Sequence, residues 1–310
     1  MADAYQTSTA LTEFHATLVA QSAQLTFTDR TNNALLATAQ NLTEALNGAK
    51  SLDIPVIPAV DHATETEGTA LEYVQFSSSK VTLTVDTRKG LVMAFTPYAL
   101  ARVFDGGQSV LAGYGEQMGA DAAKIVDAAL AAEYANVGST VTGATGSNIT
   151  EANIVSAKNY LDGYNAPQEG RTLVLHHSQY NAAKQIARLT EFQMRGVDGI
   201  GPQNLVGQIH GFDVLLDQNV VGTTDGFRHN LAFVRDVSQS GLAGANRAAL
   251  AWAASPLPAP LAGAVSSGTM PRITFSYDAK GGGSTVMDSR IQFGTKTLRA
   301  VWTVDIKTAD

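Results

Sequence analysis

Residues 81–97 read Val81-Thr82-Leu83-Thr84-Val85-Asp86-Thr87-Arg88-Lys89-Gly90-Leu91-Val92-Met93-Ala94-Phe95-Thr96-Pro97. Val81, Leu83 and Val85 alternate with Thr82, Thr84 and Asp86, and Leu91, Met93 and Phe95 resume the alternation beyond a polar, glycine-containing break. Period-two spacing on both sides of such a break predicts two strands joined by a turn. At Thr96-Pro97 the period changes, because Thr caps a helix and Pro suits its first turn. Leu100, Phe104, Leu111, Tyr114, Met118, Ala122, Ile125 and Ala129 then recur at three- and four-residue intervals up to about Tyr134. If continuous, that helix is ~58 Å long at ~1.5 Å per residue. Its interior glycines, each costing about 1 kcal/mol relative to Ala, predict a break near Gly106-Gly107.

Upstream, Asp61, Glu65, Glu67 and Glu72 occupy a Thr-rich segment with few large apolar groups, which predicts a solvated tip. Before it, Leu52-Asp53-Ile54-Pro55-Val56-Ile57-Pro58 holds two prolines within four residues, excluding a helix and suiting an edge strand. Ile54 to Phe95 therefore reads as a long β-hairpin projecting from a body. Met1 to Lys50 is rich in Ala, Thr, Gln and Asn, with helical stretches at Leu11–Val19 and Leu35–Leu46 closed by Gly48, and reads as an arm.

Downstream, Val137 to Ser147 reads as a loop. Thr150-Glu151 opens a short helix carrying Ile154, Ala157 and Leu161 and ending at Gly163. A strand is predicted at Thr172–Leu175, then a helix capped by Ser178 with Tyr180, Ala183, Ile186 and Leu189. After the turn Gly196 to Gly201 a strand pair is predicted at Val206–Leu216 and Phe227–Arg235, and a helix at Gly241–Trp252. Ile273, Phe275 and Tyr277 alternate. Beyond the Gly281-Gly282-Gly283 turn, Leu298, Ala300, Trp302, Val304 and Ile306 predict a half-buried strand whose other face, Thr297, Arg299, Thr303, Asp305 and Lys307, meets water. The middle of the chain is thus mixed α/β, and no repeat of 20 to 50 residues occurs.

Charged residues make up 16% of the 310, against roughly 25% in an average soluble domain. A net charge of −7 excludes the simplest nucleic-acid binder, which displays clustered Lys and Arg. The absence of cysteine excludes disulfides, thiolate metal sites and a Cys nucleophile. No stretch approaches the apolar length of a membrane span or a secretory h-region, so the expectation is a soluble chain made in the cytoplasm.

Motifs for chemistry are wanting. None of the six histidines forms a metal pattern: His15 and His62 are isolated, and His176 and His177, if extended, point to opposite faces. His210 and His229 would face each other only across the predicted strand pair, where ordinary packing is the better account. Gly199-Ile200-Gly201-Pro202-Gln203-Asn204 lacks the third glycine of a dinucleotide fingerprint, and neither a Walker sequence nor a GxSxG elbow occurs. Glu65 and Glu67 have nothing beside them to raise a pKa for acid catalysis. Lys80 and Lys89 fit solvated gatekeepers of an exposed strand better than isopeptide donors to a neighbouring chain.

The element order, arm, long hairpin, long helix, α/β domain and terminal strands, resembles that of tailed-bacteriophage major capsid proteins with the Hong Kong 97 fold. Four segments carry the resemblance: Asp53-Ile54-Pro55-Val56-Ile57-Pro58; Gln168-Glu169-Gly170-Arg171-Thr172-Leu173-Val174-Leu175 with Tyr180; Val206-Gly207-Gln208-Ile209-His210-Gly211-Phe212-Asp213-Val214; and His229-Asn230-Leu231-Ala232-Phe233-Val234-Arg235-Asp236. The resemblance implies an α+β fold divided into an N-terminal arm (1–53), an extended β-hairpin loop (54–96), a peripheral domain with a spine helix (97–136 and 263–310) and an axial domain (137–262). It implies a structural subunit without catalytic residues, metal or cofactor, which assembles as pentamers and hexamers into an icosahedral virion shell. Val81, Leu83, Val85, Asp61, Glu65, Glu67 and Glu72 would then lie in the inter-subunit loop, the apolar stripe docking on another copy. The implied partners are further copies, a separate scaffolding protein, a portal protein and a decoration protein. The shell would form in the host cytoplasm and enclose double-stranded DNA without sequence-specific contacts or a membrane. An encapsulin-type nanocompartment shell and, from another class, an α/β enzyme remain alternatives.

Overall fold

Strand Ser284–Thr297, β13, is the axis about which the first sheet of the computed structural model is laid out. The structure describes residues 33–56, 79–96, 98–99, 108–142, 147–186, 207–220, 227–235, 248–255, 265–267, 271–278 and 284–309, with the single positions Gln21, Ala23 and Phe27. Along its length β13 pairs antiparallel with β4 (Thr87–Phe95), β10 (Leu250–Ala254) and β12 (Arg272–Asp278). Short strands β1 (Gln40–Asn41) and β11 (Val265–Ser267) finish the order β1-β10-β13-β12-β11, with β4 joined to β13 off that path. A separate two-stranded ribbon pairs β2 (Ser51–Val56) with β3 (Ser79–Thr84).

This pairing corrects the hairpin read from the sequence. Residues 81–85 and 91–95 do not pair with each other; the first group pairs with β2 and the second with β13. The Val85-Asp86 link is a crossover, fixed by Val85 N–H donating to Lys50 O (2.9 Å) and Gln292 Nε2 donating to Val85 O (3.1 Å). Gly294 lets the crossover approach β13, since a Cβ there would meet the Thr84 carbonyl. Alternation specifies a strand and its faces, but a partner is chosen by packing.

Helix α3, Gln108–Ala131, is 24 residues long. Ala132–Asn136 tightens into a 3₁₀ turn where the helix was expected to continue. The expected break at Gly106-Gly107 lies outside the described residues, whereas the cap at Thr96 is present, its hydroxyl accepting from Ala99 N–H (3.3 Å). Met118 and Leu111 of α3 pack with Ile273, Phe275 and Met287 of the first sheet. Further along, Ala122, Val126 and Leu130 pack with Trp252 and Phe293, and also with Val174, Leu231 and Phe233 of a second sheet. The helix thus bridges two layers, and deep apolar burial at roughly 25 cal/mol per Å² supplies what its glycines withhold.

The presumed arm contributes core. Its predicted helix Leu35–Leu46 is two short helices, α1 (Ala34–Thr38) and α2 (Thr43–Leu46), separated by β1, which pairs parallel with Ala251 and Trp252. Leu35 and Leu36 enter the core under α3 while Leu42 and Leu46 enter another, so a single helical stripe cannot serve both. Asn47 and Gly48 at positive φ then reverse the chain, as the glycine predicted.

The second sheet has the order β5-β14-β9-β6-β8-β7. Its strands are β5 (Ser139–Thr142), β6 (Arg171–His176), β7 (Gln208–Ile209), β8 (Phe212–Asp217), β9 (Phe227–Val234) and β14 (Thr303–Ala309). The expected strands β6, β8 and β9 exist, but β6 lies between β8 and β9, so those two are not a pair. β7 and β8 form a hairpin whose two turn residues, His210 and Gly211, both have positive φ, the geometry of a tight two-residue turn. Helix α4, Glu151–Gly163, has the predicted Thr150 cap and buries Ile154, Ala157 and Leu161. Helix α5, His177–Ala183, starts earlier than predicted and Ser178 does not cap it.

Four further expectations fail. Residues 139–142, read as loop, form β5 because β14 offers a parallel edge. Leu250–Trp252, read as helix end, is β10, whose five residues are all buried; a short apolar run buried on both faces has no period to read. Leu298–Trp302 is not strand, and β14 begins at Thr303. Thr303 and Asp305 are buried rather than wetted, because β14 is an interior strand between β5 and β9. In consequence β14 sits in the second sheet, away from β12 and β13, and β10 sits in the first.

Candidate assembly surfaces

The ribbon stands where the sequence placed the inter-subunit loop, and its residues divide by face. Leu83 and Val85, with no exposed surface, pack with Ile54, Leu42, Leu46, Ala251, Ala253 and Leu298 of the same chain, and half-buried Val81 packs at the margin. The expected apolar stripe is therefore spent on anchoring the ribbon to its own body. This is a correction: burial of Leu83 and Val85 leaves neither free for another copy. On the exposed face Lys80 Nζ lies 2.7 Å from Asp53 Oδ2, and the Thr82 hydroxyl donates to Asp53 Oδ1 at 2.6 Å. The Lys80 and Thr82 bonds hold the Asp53 carboxyl below its usual pKa. Asp61, Glu65, Glu67 and Glu72 lie outside the described residues.

A second surface is β4. Its residues Arg88 to Val92 are exposed, Leu91 at 40% and Val92 at 60%, on a strand bonded to β13. A shallow cleft between β4 and α3 is lined by Lys89, Leu91, Met118, Asp121, Ile125 and Ile291. Lys89 is thus a charged residue on an exposed strand, as a gatekeeper would be.

Between the two sheets lies a buried polar cluster that the sequence reading missed. Asp217 ends β8, and Asp127 interrupts the apolar face of α3 between Val126 and Leu130. Asp217 Oδ2 accepts from Ala34 N–H (3.0 Å) and Leu35 N–H (3.3 Å), and its Oδ1 accepts from Asn219 N–H (2.7 Å). Asp127 Oδ1 accepts from Leu36 N–H (2.8 Å), and its Oδ2 accepts from Asn219 Nδ2 (2.9 Å). Asn219 Nδ2 also donates to Asn33 Oδ1 (3.1 Å). The first-turn amides of α1, which no helical carbonyl can satisfy, are thereby met by two carboxyl groups from different layers. Burial, then the neighbouring Asp217 charge, raises the Asp127 pKa to about 8. The one available signal was an acid on the core stripe of an amphipathic helix.

The histidines go to separate places. His229 Nδ1 lies 2.7 Å from Asp305 Oδ2 with Tyr134 stacked on the ring at 3.8 Å, the pair being almost wholly buried. His210, at the β7–β8 turn, meets Glu151 at 3.0 Å and does not face His229. His176 and His177 have ring centroids 4.0 Å apart, not opposed, because the chain turns from strand to helix between them. His15 and His62 lie outside the described residues. Among the described residues no group of three or more His, Asp or Glu could hold a metal, and no helix is long and apolar enough to cross a membrane.

No family model matches the chain, and no curated protein matches it in sequence. Solved structures do. The Mycobacterium phage Che8 structure superposes with TM-score 0.58 at 16% identity, covering 90% of each chain. The capsid of cyanophage P-SCSP1u gives 0.61 at 15% identity, covering 89% of this chain and 87% of that one. A holo-SrpI encapsulin complex from Synechococcus elongatus gives 0.55 at 12% identity, covering 91% and 89%. The chain shares the fold of these phage and encapsulin chains, the Hong Kong 97-type α+β fold expected from its sequence.

Proposed function

We propose that this chain is a structural shell subunit, the major capsid protein of a tailed phage, building an icosahedral virion shell from pentamers and hexamers around double-stranded DNA. One observation carries the reading: tailed-phage capsid chains are matched over about nine-tenths of both partners, so the likeness spans the subunit rather than a shared motif. The exposed polar face of the ribbon and the exposed apolar residues of β4 are surfaces suited to contact between copies. In this reading the first sheet with α3 is the peripheral domain and the second sheet the axial domain. In the same reading the ribbon belongs to the extended loop that lies over a neighbour. A separate scaffolding protein, a portal and a decoration protein are the remaining proposed partners.

Electron microscopy of the purified protein, alone and with scaffold, tests this reading: closed shells are expected, and only monomers or small closed oligomers would sink it. The encapsulin reading is kept by the likeness to the Synechococcus shell. Nucleic acid inside isolated particles supports the phage reading, and enzyme cargo the other.

A further inference from the structure

The described N-terminal residues are held across α3 at successive points. Ala23 packs on Gly119, where a Cβ would strike the Ala23 backbone; Phe27 meets Trp252 edge-on at 6.2 Å; and α1 is bonded to Asp127 and Asp217. The first two contacts are apolar or steric and indifferent to solution conditions. The third brings together two carboxyl groups from separate layers, each already accepting backbone amides of α1.

We propose that the Asp127–Asp217 pair is a proton-held latch: one shared proton fastens α1 to the long helix and the second sheet together, and its loss releases α1. The geometry gives the reason. Each carboxyl accepts from at least two N–H groups, and two buried like charges cannot both be ionised at low cost. With one proton between them, one acid donates to the other while their remaining lone pairs hold Ala34, Leu35, Leu36 and Asn219. Without it, their mutual repulsion is relieved by moving apart, and α1 is the element bonded to both.

Other charged or titratable groups stand on the elements around the pair. Helix α1 carries no charged residue. On α3, Asp121 and Lys124 are exposed. On β6, His176 stands opposite Asp217 in register, its Nδ1 2.9 Å from Ser178 Oγ. On β9, the Arg228 guanidinium donates to Val220 O (3.4 Å) and His229 is paired with Asp305 of β14. The raised pKa of Asp127 agrees with a proton kept when the latch is closed and given up when it opens. The latch belongs to the subunit and does not rest on the shell reading.

Hydrogen–deuterium exchange of the full-length protein, with rates corrected for intrinsic exchange, tests the latch. From pH 5.5 to 7.5 the open state binds one proton fewer than the closed one. Protection of the residue 34–36 amides should therefore fall about tenfold per pH unit and level above pH 8, while that of amides 172–175 in β6 stays constant. Asp127→Asn, whose amide donates as the protonated acid does, should make protection at 34–36 independent of pH. Asp217→Asn should lower it at every pH. The proposal is overturned by pH-independent protection in the unaltered protein, by an Asp127→Asn slope like that of the unaltered protein, or by β6 amides opening in parallel with α1.

Discussion

Replacing Leu83 by alanine separates two roles for the ribbon's apolar stripe. If that stripe were an inter-subunit surface, truncation would leave the isolated subunit as stable as before and weaken only assembly. Leu83 instead has no exposed surface and touches a cluster built from α2, the ribbon, β10 and Leu298. Leu→Ala in such a place removes the transfer energy of the lost carbons and leaves a cavity, together about 2.7 to 5 kcal/mol in well-studied cores. Two of the walls are Ala251 and Ala253 on an interior strand. These have no side-chain length with which to fill the gap, so a value of about 3 kcal/mol is expected. For a chain of this size that lowers Tm by roughly 6 °C, measured by circular dichroism on unassembled subunit. A Tm within about 2 °C of the unaltered protein, together with lost particle yield, would refute the intramolecular anchoring argued here.

Three other outcomes are expected. Asp127 holds its proton to about pH 8 when folded but releases it near its ordinary value of 3.8 when unfolded. Stability should therefore fall as pH rises through that window, by at most about 1.4 kcal/mol per unit, and Asp127→Asn should flatten the slope of urea midpoints taken at pH 5, 6.5 and 8; an unaltered slope counts against the assignment. Gly119→Ala improves helix propensity by about 1 kcal/mol yet should lower Tm, since the new Cβ collides with the Ala23 backbone; a raised Tm would show that the crossing is not tight. Arg171 gives one fork to three partners, Asp162 Oδ1 (2.7 Å), Ala166 O (2.8 Å) and Pro167 O (2.9 Å), from a side chain 2% exposed. A lysine cannot reproduce that fork, so Arg171→Lys should cost about 2 kcal/mol or more in urea denaturation, and a neutral result would mean that the fork is dispensable.

Much of the local structure was legible because its causes are local. Thr150 three residues before Asn153, with Ile154, Ala157 and Leu161 behind it, sufficed to define α4. Pro55 confined Ser51–Val56 to a strand at the edge of a two-stranded ribbon. What failed were readings that needed a partner. Leu250–Ala254 carries no period because both of its faces are covered, one neighbour being β1 from the far N-terminal side and the other β13. Asp305 looked solvated beside polar Thr303 and Lys307, yet the strand is interior and the acid meets His229. Of the candidate site, the sequence marked the strand at 81–85 and its apolar stripe but paired it with 91–95, and it gave no account of Asp127 and Asp217.

The sequence by itself determined the long helix, the strand segments at 81–85 and 91–95 and the resemblance that led to the fold, since periodicity and capping act over a few residues. Tertiary structure alone decided that β3 pairs with β2 while β4 pairs with β13, that the segment around Leu35 and Leu46 is core, and that two acids 90 residues apart in sequence face the same helix end. The physical reason is shared: strand pairing, burial and proton sharing are energies of proximity between distant segments, and only the folded chain sets those distances.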